Sequence, residues 1–390
     1  MYLMENYGDK PLHFQKGFGS WLFTEEGEGY LDFVSGIAVN SLGHCHPKIV
    51  DMITSQAKQL LHTSNLYGNA PQDQLAKRLV ESSGMSAAFF CNSGTEAVEA
   101  ALKIARKHGA KTSKSKNRVL FMSGSFHGRT LGALSVTSND AYKKSFLPAD
   151  MESVGVSFNK VEDLEKTMDG SVCAVIVEPV QGEGGIRLAD QVFLKSLRSM
   201  CKDHDALLIF DEVQCGVGRV GSLYAFEQFG IQPDVICMAK GLGGGVPIGA
   251  VLCNDKANVL EPGDHGSTFG GNPLVCSVAH VVLDVLTQEG VLQSVGPKGA
   301  YLKKKLQDLQ TRSKFIKGVS GLGLMIGLQL SVDVKEVVEM ARDKNLLVVS
   351  AGENTLRLLP PLTVSYTEMD QAIEKIEGVF EELSLNETIN

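Results

Sequence analysis

Two short apolar runs, each leading to a charged residue, constrain the fold of this chain more than any other feature. Residues 207–210 run into Asp211, and residues 235–238 lead to Lys240. Both runs are too short for helices and far enough apart for a crossover, so we predict two buried parallel strands of one sheet. Open α/β sheets bind ligands outside the carboxyl edge that such strands share. Asp211 and Lys240 are therefore expected to face one crevice, either as a salt bridge or as groups that carry out chemistry.

The alternation of strands and helices continues on both sides of this stretch. Short apolar runs predict further strands at 87–91, 119–122 and 172–177. Helical spacing of apolar residues predicts helices at 97–107, 192–204 and 273–287. This pattern predicts an α/β fold with a large, mostly parallel sheet. A chain of 390 residues, 43% of them hydrophobic, is long enough for such a domain and a smaller one.

The character of the sequence changes after Gln288. Strand-like stretches and amphipathic helices follow, at 301–311, 334–344, 346–349 and 355–361. We predict a large cofactor-binding domain over residues 46–288 and a small α+β domain over residues 289–390. The N-terminal segment, residues 1–45, is expected to be part of the small domain.

A candidate anion site lies at the start of the helix predicted after residue 91. Ser93 and Glu96 form a capping-box pattern around Gly94 and Thr95. A glycine beside a helix N-terminus leaves backbone N–H groups free toward a pocket, an arrangement that commonly binds phosphate. An ordinary capped helix is the alternative that this motif leaves open.

A glycine-flanked loop after residue 122 supplies an aromatic and two basic side chains. Phe126, His127 and Arg129 are suited to stacking on a planar ring and to binding a carboxylate. An exposed loop that carries an arginine is the alternative.

The remaining candidates surround the crevice. Glu178 and Glu183 follow the strand at 172–177, and small residues follow Lys240 and leave room for a planar ligand. These features together fit pyridoxal phosphate, which needs a lysine for its Schiff base and an acid for its pyridinium nitrogen. A carboxylate such as Asp211 keeps that nitrogen protonated, and the released lysine acts as the base that moves the proton.

Composition and spacing exclude several other classes. The formal charge of -8 argues against a nucleic-acid partner. No apolar run approaches the ~18 residues of a membrane span. The N-terminal residues lack the basic region and apolar core of a signal peptide. The eight cysteines include no C-x-x-C, so we expect no metal site, reduced thiols and a cytoplasmic protein. The G-x-G-x-x-x-G spacing from Gly321 to Gly327 runs into a strand-like segment and is not a dinucleotide fingerprint.

Seven motifs resemble those of the class III aminotransferases, enzymes of pyridoxal phosphate fold type I. They are LDFVSGIAVNSLGHCHP, NSGTEAVEAALK, SFHGRTLGAL, EPVQGEGG, FDEVQCGVGRVG, AKGLGGGVPIGA and HGSTFGGNPL. The resemblance covers nearly the whole chain. It implies a pyridoxal 5'-phosphate-dependent aminotransferase that acts on small amino acids and 2-oxo acids, as a homodimer with shared active sites.

The resemblance also implies roles at matching positions. Lys240 would form the Schiff base and shuttle the proton, Asp211 would pair with the pyridinium nitrogen, and Gln214 would approach the phenolic oxygen of the ring. Gly94 and Thr95 would hold the phosphate.

Three further cofactor and substrate contacts follow from the same motifs. Phe126 would stack on the ring. Thr268, with Ser267 beside it, would reach the phosphate or substrate from the partner subunit.

Two arginines would serve two substrates in turn. Arg129 would grip the α-carboxylate of the amino-acid donor while its distal amine reacts, and Arg357 would bind the α-carboxylate of glutamate. Glu183 would pair with Arg357 when the other substrate is bound. This set favours two-substrate transamination over an aminomutase or a decarboxylating transaminase.

The substrate has several alternatives. Ornithine δ-aminotransferases tend to carry Tyr at the position of Ile37, which argues against free ornithine. Residues 64–67 resemble the acetylornithine branch, which transfers the distal amino group of N-acetylornithine to 2-oxoglutarate in arginine biosynthesis. That branch often has a second Tyr and a Glu where this chain has residues 68–70, so succinylornithine, ornithine, 4-aminobutyrate and other ω-amino acids stay open.

Overall fold

The computed structural model describes residues 2–8, 10–146 and 152–389, with side chains to residue 386. The outermost ends of the predicted domains, residues 1 and 390, lie outside this part of the chain. The strands, numbered β1 to β17 in chain order, are Phe14–Phe18, Trp21–Thr24, Gly29–Asp32, Ala87–Cys91, Arg118–Met122, Ser153–Val156, Val172–Val177, Val180–Gln181, Arg187–Leu188, Leu207–Asp211, Val235–Met238, Gly249–Cys253, Ile316–Leu322, Met325–Leu330, Leu346–Leu347, Val349–Ala351 and Thr355–Leu358. The helices, numbered α1 to α13, are Ser35–Ala38, Pro47–Ala57, Ala70–Ser83, Gly94–Thr112, Leu131–Ser135, Asp140–Lys143, Val161–Thr167, Gln191–Asp203, Phe226–Phe229, Pro273–Gln288, Val291–Gln310, Val334–Asp343 and Tyr366–Ile389.

A seven-stranded sheet forms the centre of the molecule and confirms the predicted α/β fold with a mostly parallel sheet. Its strand order is β4-β12-β11-β10-β7-β5-β6, with β12 running against the other six. Strands β10 and β11 are parallel neighbours, and Asp211 lies opposite Cys237 in their register. The two apolar runs therefore end at one edge of the sheet, as the sequence predicts.

The central strands are apolar throughout because helices cover both faces of the sheet. Leu208 and Phe210 belong to the core on one face, whereas Leu207 and Ile209 belong to the core on the other. The second core also contains the alanine-rich face of α4. Side chains of a strand alternate between faces, so Asp211 is on the side of α4, whose N-terminus carries the predicted phosphate motif.

A separate four-stranded sheet, in the order β13-β14-β17-β16, brings Arg357 to the site. Strands β13 and β14 form a hairpin, so the glycines after Gly321 lie in antiparallel strands and their turn. The strand predicted at 346–349 is wrong in one respect: it splits into β15 and β16, which belong to different sheets. The chain changes sheets here because β15 pairs with β3, whereas β16 pairs with β17.

The N-terminal strands pack with the C-terminal part of the chain. Strands β1, β2 and β3 form one sheet with β15, in which Leu31 lies opposite Leu346 in a parallel register. This pairing is what we expect if the N-terminal segment belongs with the small domain. The domain boundaries themselves stay a prediction.

Helices α10 and α11 connect the central sheet to this C-terminal part. The helix predicted at 301–311 is the second half of α11, which begins at Val291 and continues through Pro297. Among the described residues no single helix is long and apolar enough to cross a membrane. In the same part of the chain, only α10 and α11 taken together have that length and apolar composition, and they are bent by 66° to each other.

Candidate active site

Asp211 and Lys240 line one cavity of about 460 Å³ at the carboxyl edge of the central sheet. They are not an ion pair. The Asp211 carboxylate instead accepts a hydrogen bond from Nδ1 of His127 at 2.7 Å, and its other oxygen accepts one from the backbone N–H of Val213 at 3.0 Å. The salt-bridge alternative is therefore wrong, because a buried histidine occupies the position beside the carboxylate.

Lys240 presents an amine with no hydrogen-bond or ion-pair partner in the described part of the chain. Its φ of 43° lies in the left-handed region, which costs a non-glycine residue of the order of 1–2 kcal/mol. The surrounding 3₁₀ turn, Lys240–Leu242, keeps this conformation. Burial lowers the pKa of the amine, with smaller contributions from the neighbouring charges. A desolvated amine of this kind is suited to nucleophilic attack on a carbonyl carbon.

The cavity is bounded by segments that are far apart in sequence. The loop after β4, the loop after β5, the ends of β7 and β10, and the turn after β11 meet there because their strands share one edge of the sheet. Its lining comprises Val39, Asn92, Ser93, Gly94, Thr95, Phe126, His127, Gly128, Arg129, Glu178, Glu183, Asp211, Val213, Gln214, Ala239, Lys240, Gly245, Val246, Pro247 and Ile248. The described residues contain no group of three or more His, Cys, Asp or Glu side chains arranged to hold a metal ion.

Gly94 and Thr95 are the first two residues of the 19-residue helix α4. We call these two residues the phosphate cradle. The helix is capped as the sequence predicts, because Oγ of Ser93 accepts from the backbone N–H of Glu96 at 3.3 Å. The N–H groups of the cradle are the ones that a helix cannot satisfy internally, so they are available to an anion. A Cβ at Gly94 would lie 2.6 Å from a methyl group of Val213, so only glycine fits this turn.

Gly128 holds the cradle from the other side. Its φ is 139°, and a Cβ there would collide with the hydroxyl of Thr95. That hydroxyl lies 2.9 Å from the hydroxyl of Thr130, which donates to Glu99 at 2.5 Å. This hydrogen-bonded chain fixes the threonine of the cradle.

A buried cluster of titratable groups lies beneath the cavity. Glu178 accepts backbone hydrogen bonds from Phe126 at 3.2 Å and from Gly182 at 3.3 Å. Burial raises the pKa of Glu178 to about 7, a rise that the nearby His127 opposes and Asp211 adds to. Nε2 of His127 has no partner among the described residues. Because a carboxylate can only accept, the Asp211 contact fixes the ring proton on Nδ1 of His127.

Arg357 lies at the side of the cavity, where it contacts two residues that line the cavity. Its Nη1 lies 2.5 Å from Oε1 of Glu183 and donates to Oε1 of Gln214 at 3.2 Å. The side chain of Arg357 is 2% exposed and that of Glu183 35%. The arginine is thus buried, whereas solvent reaches its carboxylate partner.

Arg129 has an aromatic partner instead of an acidic one. Its guanidinium carbon lies 3.5 Å from the ring centre of Tyr142 and 5.4 Å from that of Phe126. No carboxylate pairs with it in the described chain, so the exposed guanidinium is available to an anion. The two rings are themselves in edge contact, with centres 6.4 Å apart.

Ser267 and Thr268 do not line the cavity of their own chain. Oγ of Ser267 accepts hydrogen bonds from Gly270 at 3.0 Å and from the side chain of Asn92 at 3.2 Å, and Thr268 is exposed. Their predicted roles in a partner's site stay predictions.

Two buried charged residues follow Asp211 and fix the adjoining loop. Glu212 accepts from two backbone N–H groups at the start of α9, at 2.5 and 2.8 Å, and burial raises its pKa to about 8. Arg219 donates from Nη1 to the carbonyl oxygens of Leu324, at 3.0 Å, and Pro360, at 2.6 Å. Burial lowers the pKa of Arg219 to about 9. This arginine joins the loop to the sheet that carries Arg357.

Sequence reasoning left several of these contributors without a role. His127 is predicted, with Phe126 and Arg129, to stack on a ring or bind a carboxylate, but not to contact Asp211, whose carboxylate it orients. Val213 and Tyr142 have no sequence signal, because an apolar wall and a stacking partner are ordinary residue types. They become recognisable only when the fold places them against Gly94 and Arg129.

The residues present fit pyridoxal phosphate. The cradle provides free N–H groups for the phosphate, and steric exclusion of any Cβ at Gly94 keeps the backbone accessible. Val213 and Phe126 offer apolar walls for a ring, and Asp211 offers an oriented carboxylate. Lys240 offers an unpaired amine. The fold and the site together define a pyridoxal-phosphate-dependent enzyme of fold type I.

Comparison with known proteins gives the family. The model of the class-III aminotransferases matches residues 2–380, so the chain belongs to this family, which uses pyridoxal 5'-phosphate. The chain is 47% identical over 384 residues to an acetylornithine aminotransferase of Clostridium acetobutylicum, covering 98% of each protein. It is 42% identical to a succinylornithine transaminase of Photorhabdus laumondii, over 92% of this chain and 91% of the relative. An ornithine aminotransferase structure from Toxoplasma gondii, with partial occupancy of PLP at its active site, superimposes with a TM-score of 0.94 at 32% identity. That match covers 99% of this chain and 93% of the other.

Proposed function

We propose that this aminotransferase moves the distal amino group of N-acetylornithine to 2-oxoglutarate, giving N-acetylglutamate semialdehyde and glutamate, a step of arginine biosynthesis. The observation that carries the proposal is the ion pair of buried Arg357 with the partly exposed Glu183, at the side of the cavity that holds Lys240. An enzyme that accepts two different substrates in one pocket needs a cation that binds one substrate and is neutralised by a carboxylate of the protein when the other is bound. The similarity to acetylornithine aminotransferases supports this donor.

Each residue contributes one physical task. When bound, pyridoxal phosphate supplies an electron-withdrawing ring that stabilises negative charge on the substrate carbon. Asp211, oriented by His127, would hold the ring nitrogen protonated. Lys240 would hold the cofactor covalently through its amine, and as a free amine it would act as the base that moves the proton of the substrate carbon. Burial lowers the pKa of this amine, which favours the neutral form that both tasks need.

The remaining groups position the reactants. The phosphate cradle would hold the phosphate, Phe126 and Val213 would pack against the two faces of the ring, and Gln214 would approach its phenolic oxygen. Arg129, free of any acidic partner in the described chain, would bind the α-carboxylate of the donor. Arg357 would bind the α-carboxylate of glutamate after Glu183 has moved away.

The donor is tested by half-reactions with the pyridoxal-phosphate-loaded enzyme. Acetylornithine, succinylornithine, ornithine and 4-aminobutyrate are added one at a time, without an acceptor, and the absorbance of the bound cofactor is followed. We expect acetylornithine to bleach it with the highest kcat/KM. Succinylornithine is the second candidate, because a relative of 42% identity acts on it by name. If no donor bleaches the cofactor, the proposed activity is wrong.

We further propose a homodimer with shared active sites. Exposed apolar side chains cluster around the loop that carries Ser267 and Thr268. Asn65 joins this loop to residues 60–67 by donating to the carbonyl oxygens of Ser267 at 2.9 Å and Gly270 at 3.0 Å. The exposed apolar side chains of the two loops are Leu60, Leu61, Leu66, Tyr67 and Phe269. An apolar surface around residues that the resemblance places in a partner's site supports burial by a second copy. Sedimentation velocity would measure the assembly, and a monomer that retains full activity would contradict it.

A cytoplasmic location is also proposed. The eight cysteines are all free thiols, and seven of them are buried. Burial raises the pKa of Cys201 and Cys276 to about 12, so these thiols are unreactive at neutral pH. Reduced, buried thiols support a reducing compartment, and fractionation of the producing cell would test it.

A further inference from the structure

A second cavity, of about 680 Å³, adjoins the active site and shares Phe126 and Glu183 with it. It lies between the loop after β5, the turn between β8 and β9, and the turn between β16 and β17. Its charged lining residues are Glu183, Arg187, Lys317 and Glu353. Neither cation has an acidic partner in the part of the chain that the structure describes, whereas Glu183 is paired with Arg357.

The proposed function leaves one question that this cavity addresses. Glutamate can occupy Arg357 only if Glu183 leaves it, and a second guanidinium near the displaced carboxylate would stabilise it by a charge-assisted hydrogen bond. The backbone of Glu183 is fixed, because its carbonyl oxygen accepts from the N–H of Gly352 at 2.7 Å. The movement is therefore a rotation of the side chain and not a shift of the loop.

Arg187 lines the same cavity as Glu183. A Cβ at Gly124 would lie 3.3 Å from Nη1 of Arg187 and 2.9 Å from Oε1 of Gln181. A Cβ at Gly184, the neighbour of Glu183, would lie 2.7 Å from the same Oε1 of Gln181. The side chain of Gln181 thus lies between the guanidinium and the backbone next to Glu183, and Arg187 and Glu183 line the same cavity.

The chemistry favours Arg187 over the other cation. Arg187 lies four residues from Glu183 on the same β8–β9 hairpin, whereas Lys317 comes from β13 in another sheet. A guanidinium binds a carboxylate with two parallel hydrogen bonds, which a lysine amine cannot do. The ring of Phe158, 5.1 Å from the guanidinium carbon, supports the arginine without competing for its donors.

We propose that Arg187 receives the carboxylate of Glu183 when glutamate or 2-oxoglutarate occupies Arg357. The inference rests on the proposed two-substrate function and assigns Arg187 as a positioning residue for it. Glu183 then alternates between two arginines, and Arg357 is uncovered without leaving an unpaired carboxylate beside a dicarboxylic substrate. Substrates that leave Arg357 covered do not use Arg187.

The test uses the pyridoxal-phosphate-loaded enzyme, four single variants, one double variant and two readouts. Arg187→Met removes the receiving cation, Arg187→Lys keeps a charge, and Glu183→Gln removes the carboxylate that moves. The control, Lys195→Met, removes a surface charge that lines neither cavity. The first readout is the Kd of glutarate, a dicarboxylate that cannot react, measured by calorimetry. The second is the ratio of kcat/KM for the glutamate half-reaction to that for the acetylornithine half-reaction.

Arg187→Met is expected to raise the Kd of glutarate and to lower the ratio by about threefold to fivefold, the upper range for an ion pair that solvent reaches. Arg187→Lys should reverse at least half of each change, taken as the logarithm of the Kd or of the ratio. Lys195→Met should give the wild-type Kd and ratio. In a Glu183→Gln background, Arg187→Met should have less than a twofold effect, because no carboxylate has to be received.

Two results would overturn the inference. One is an equal loss in both half-reactions, which indicates a general structural effect. The other is an undiminished effect of Arg187→Met in the Glu183→Gln background. A wild-type enzyme that responds to neither glutamate nor acetylornithine would instead refute the proposed function, so the two failures are distinguishable.

Discussion

The pairing of Glu183 with Arg357 gives the most direct prediction about substrate choice. Replacing Glu183 by Gln keeps the size of the side chain and removes its charge, so glutamate no longer competes with an anion for Arg357. We expect the KM of glutamate to fall and the acetylornithine half-reaction to slow. The second effect arises because an uncovered Arg357 attracts the donor's carboxylate away from Arg129.

The magnitude follows from the geometry. Opposite charges about 4 Å apart attract by about 4 kcal/mol at an effective dielectric constant near 20. Arg357 is 2% exposed and Glu183 35%, so solvent reaches one side of the pair and reduces the net value. Desolvation of the arginine reduces it further. A net contribution of about 1–2 kcal/mol corresponds to a glutamate KM about 5-fold to 30-fold lower in the variant.

The assay is the change of cofactor absorbance in single half-reactions, with glutamate and with acetylornithine in separate experiments. Glu165→Gln, an exposed substitution on α7, is the matched control and should leave both rates unchanged. Equal losses in both half-reactions for Glu183→Gln would refute the reasoning, because they would show that the residue supports the site in general and does not select between substrates.

Three further predictions concern the supports of the site. Gly128→Ala should weaken the affinity for pyridoxal phosphate at least tenfold, because the added methyl group displaces the threonine of the phosphate cradle. Gly170→Ala, at a position with open space around it, is the control. Equal affinities of the two variants in equilibrium titrations would contradict the role of Gly128. The folded protein holds the proton of Glu212 up to pH about 8, whereas the unfolded chain loses it near 4.5, so this residue makes stability fall as pH rises through that window. In Glu212→Gln, the free energy of unfolding should fall less steeply with pH between pH 5 and 8 than in the wild type. The difference between the two slopes should be up to about 1.4 kcal/mol per pH unit. A variant whose urea unfolding shows the wild-type dependence on pH would contradict this prediction. Arg219→Met should raise the KM of glutamate more than that of acetylornithine, because Arg219 joins the Asp211 loop to the strand that carries Arg357. Arg219→Lys should restore part of the loss. Equal changes in the two KM values would argue against this role of Arg219.

The sequence was most informative where short-range chemistry decides structure. Apolar runs of four to six residues predicted the central strands, because only a strand covered on both faces tolerates continuous apolar side chains. The Ser93 and Glu96 spacing predicted the capped helix and its anion site, because a cap is a contact within one turn. The strand predicted at 346–349 was divided between two sheets, and pairing with distant strands, not local propensity, made that division.

The sequence by itself determined which side chains reach the edge of the sheet, because Asp211 ends one strand and Lys240 follows the end of its parallel neighbour. It did not determine their partners. His127 beside Asp211, Tyr142 beneath Arg129 and Arg357 against Glu183 are contacts between segments that lie from 13 to 174 positions apart. Such contacts depend on strand order and on how loops pack across sheets, which residue spacing does not encode. The tertiary structure thus replaced a possible Asp211–Lys240 salt bridge with a carboxylate held by histidine and a lysine left free to react.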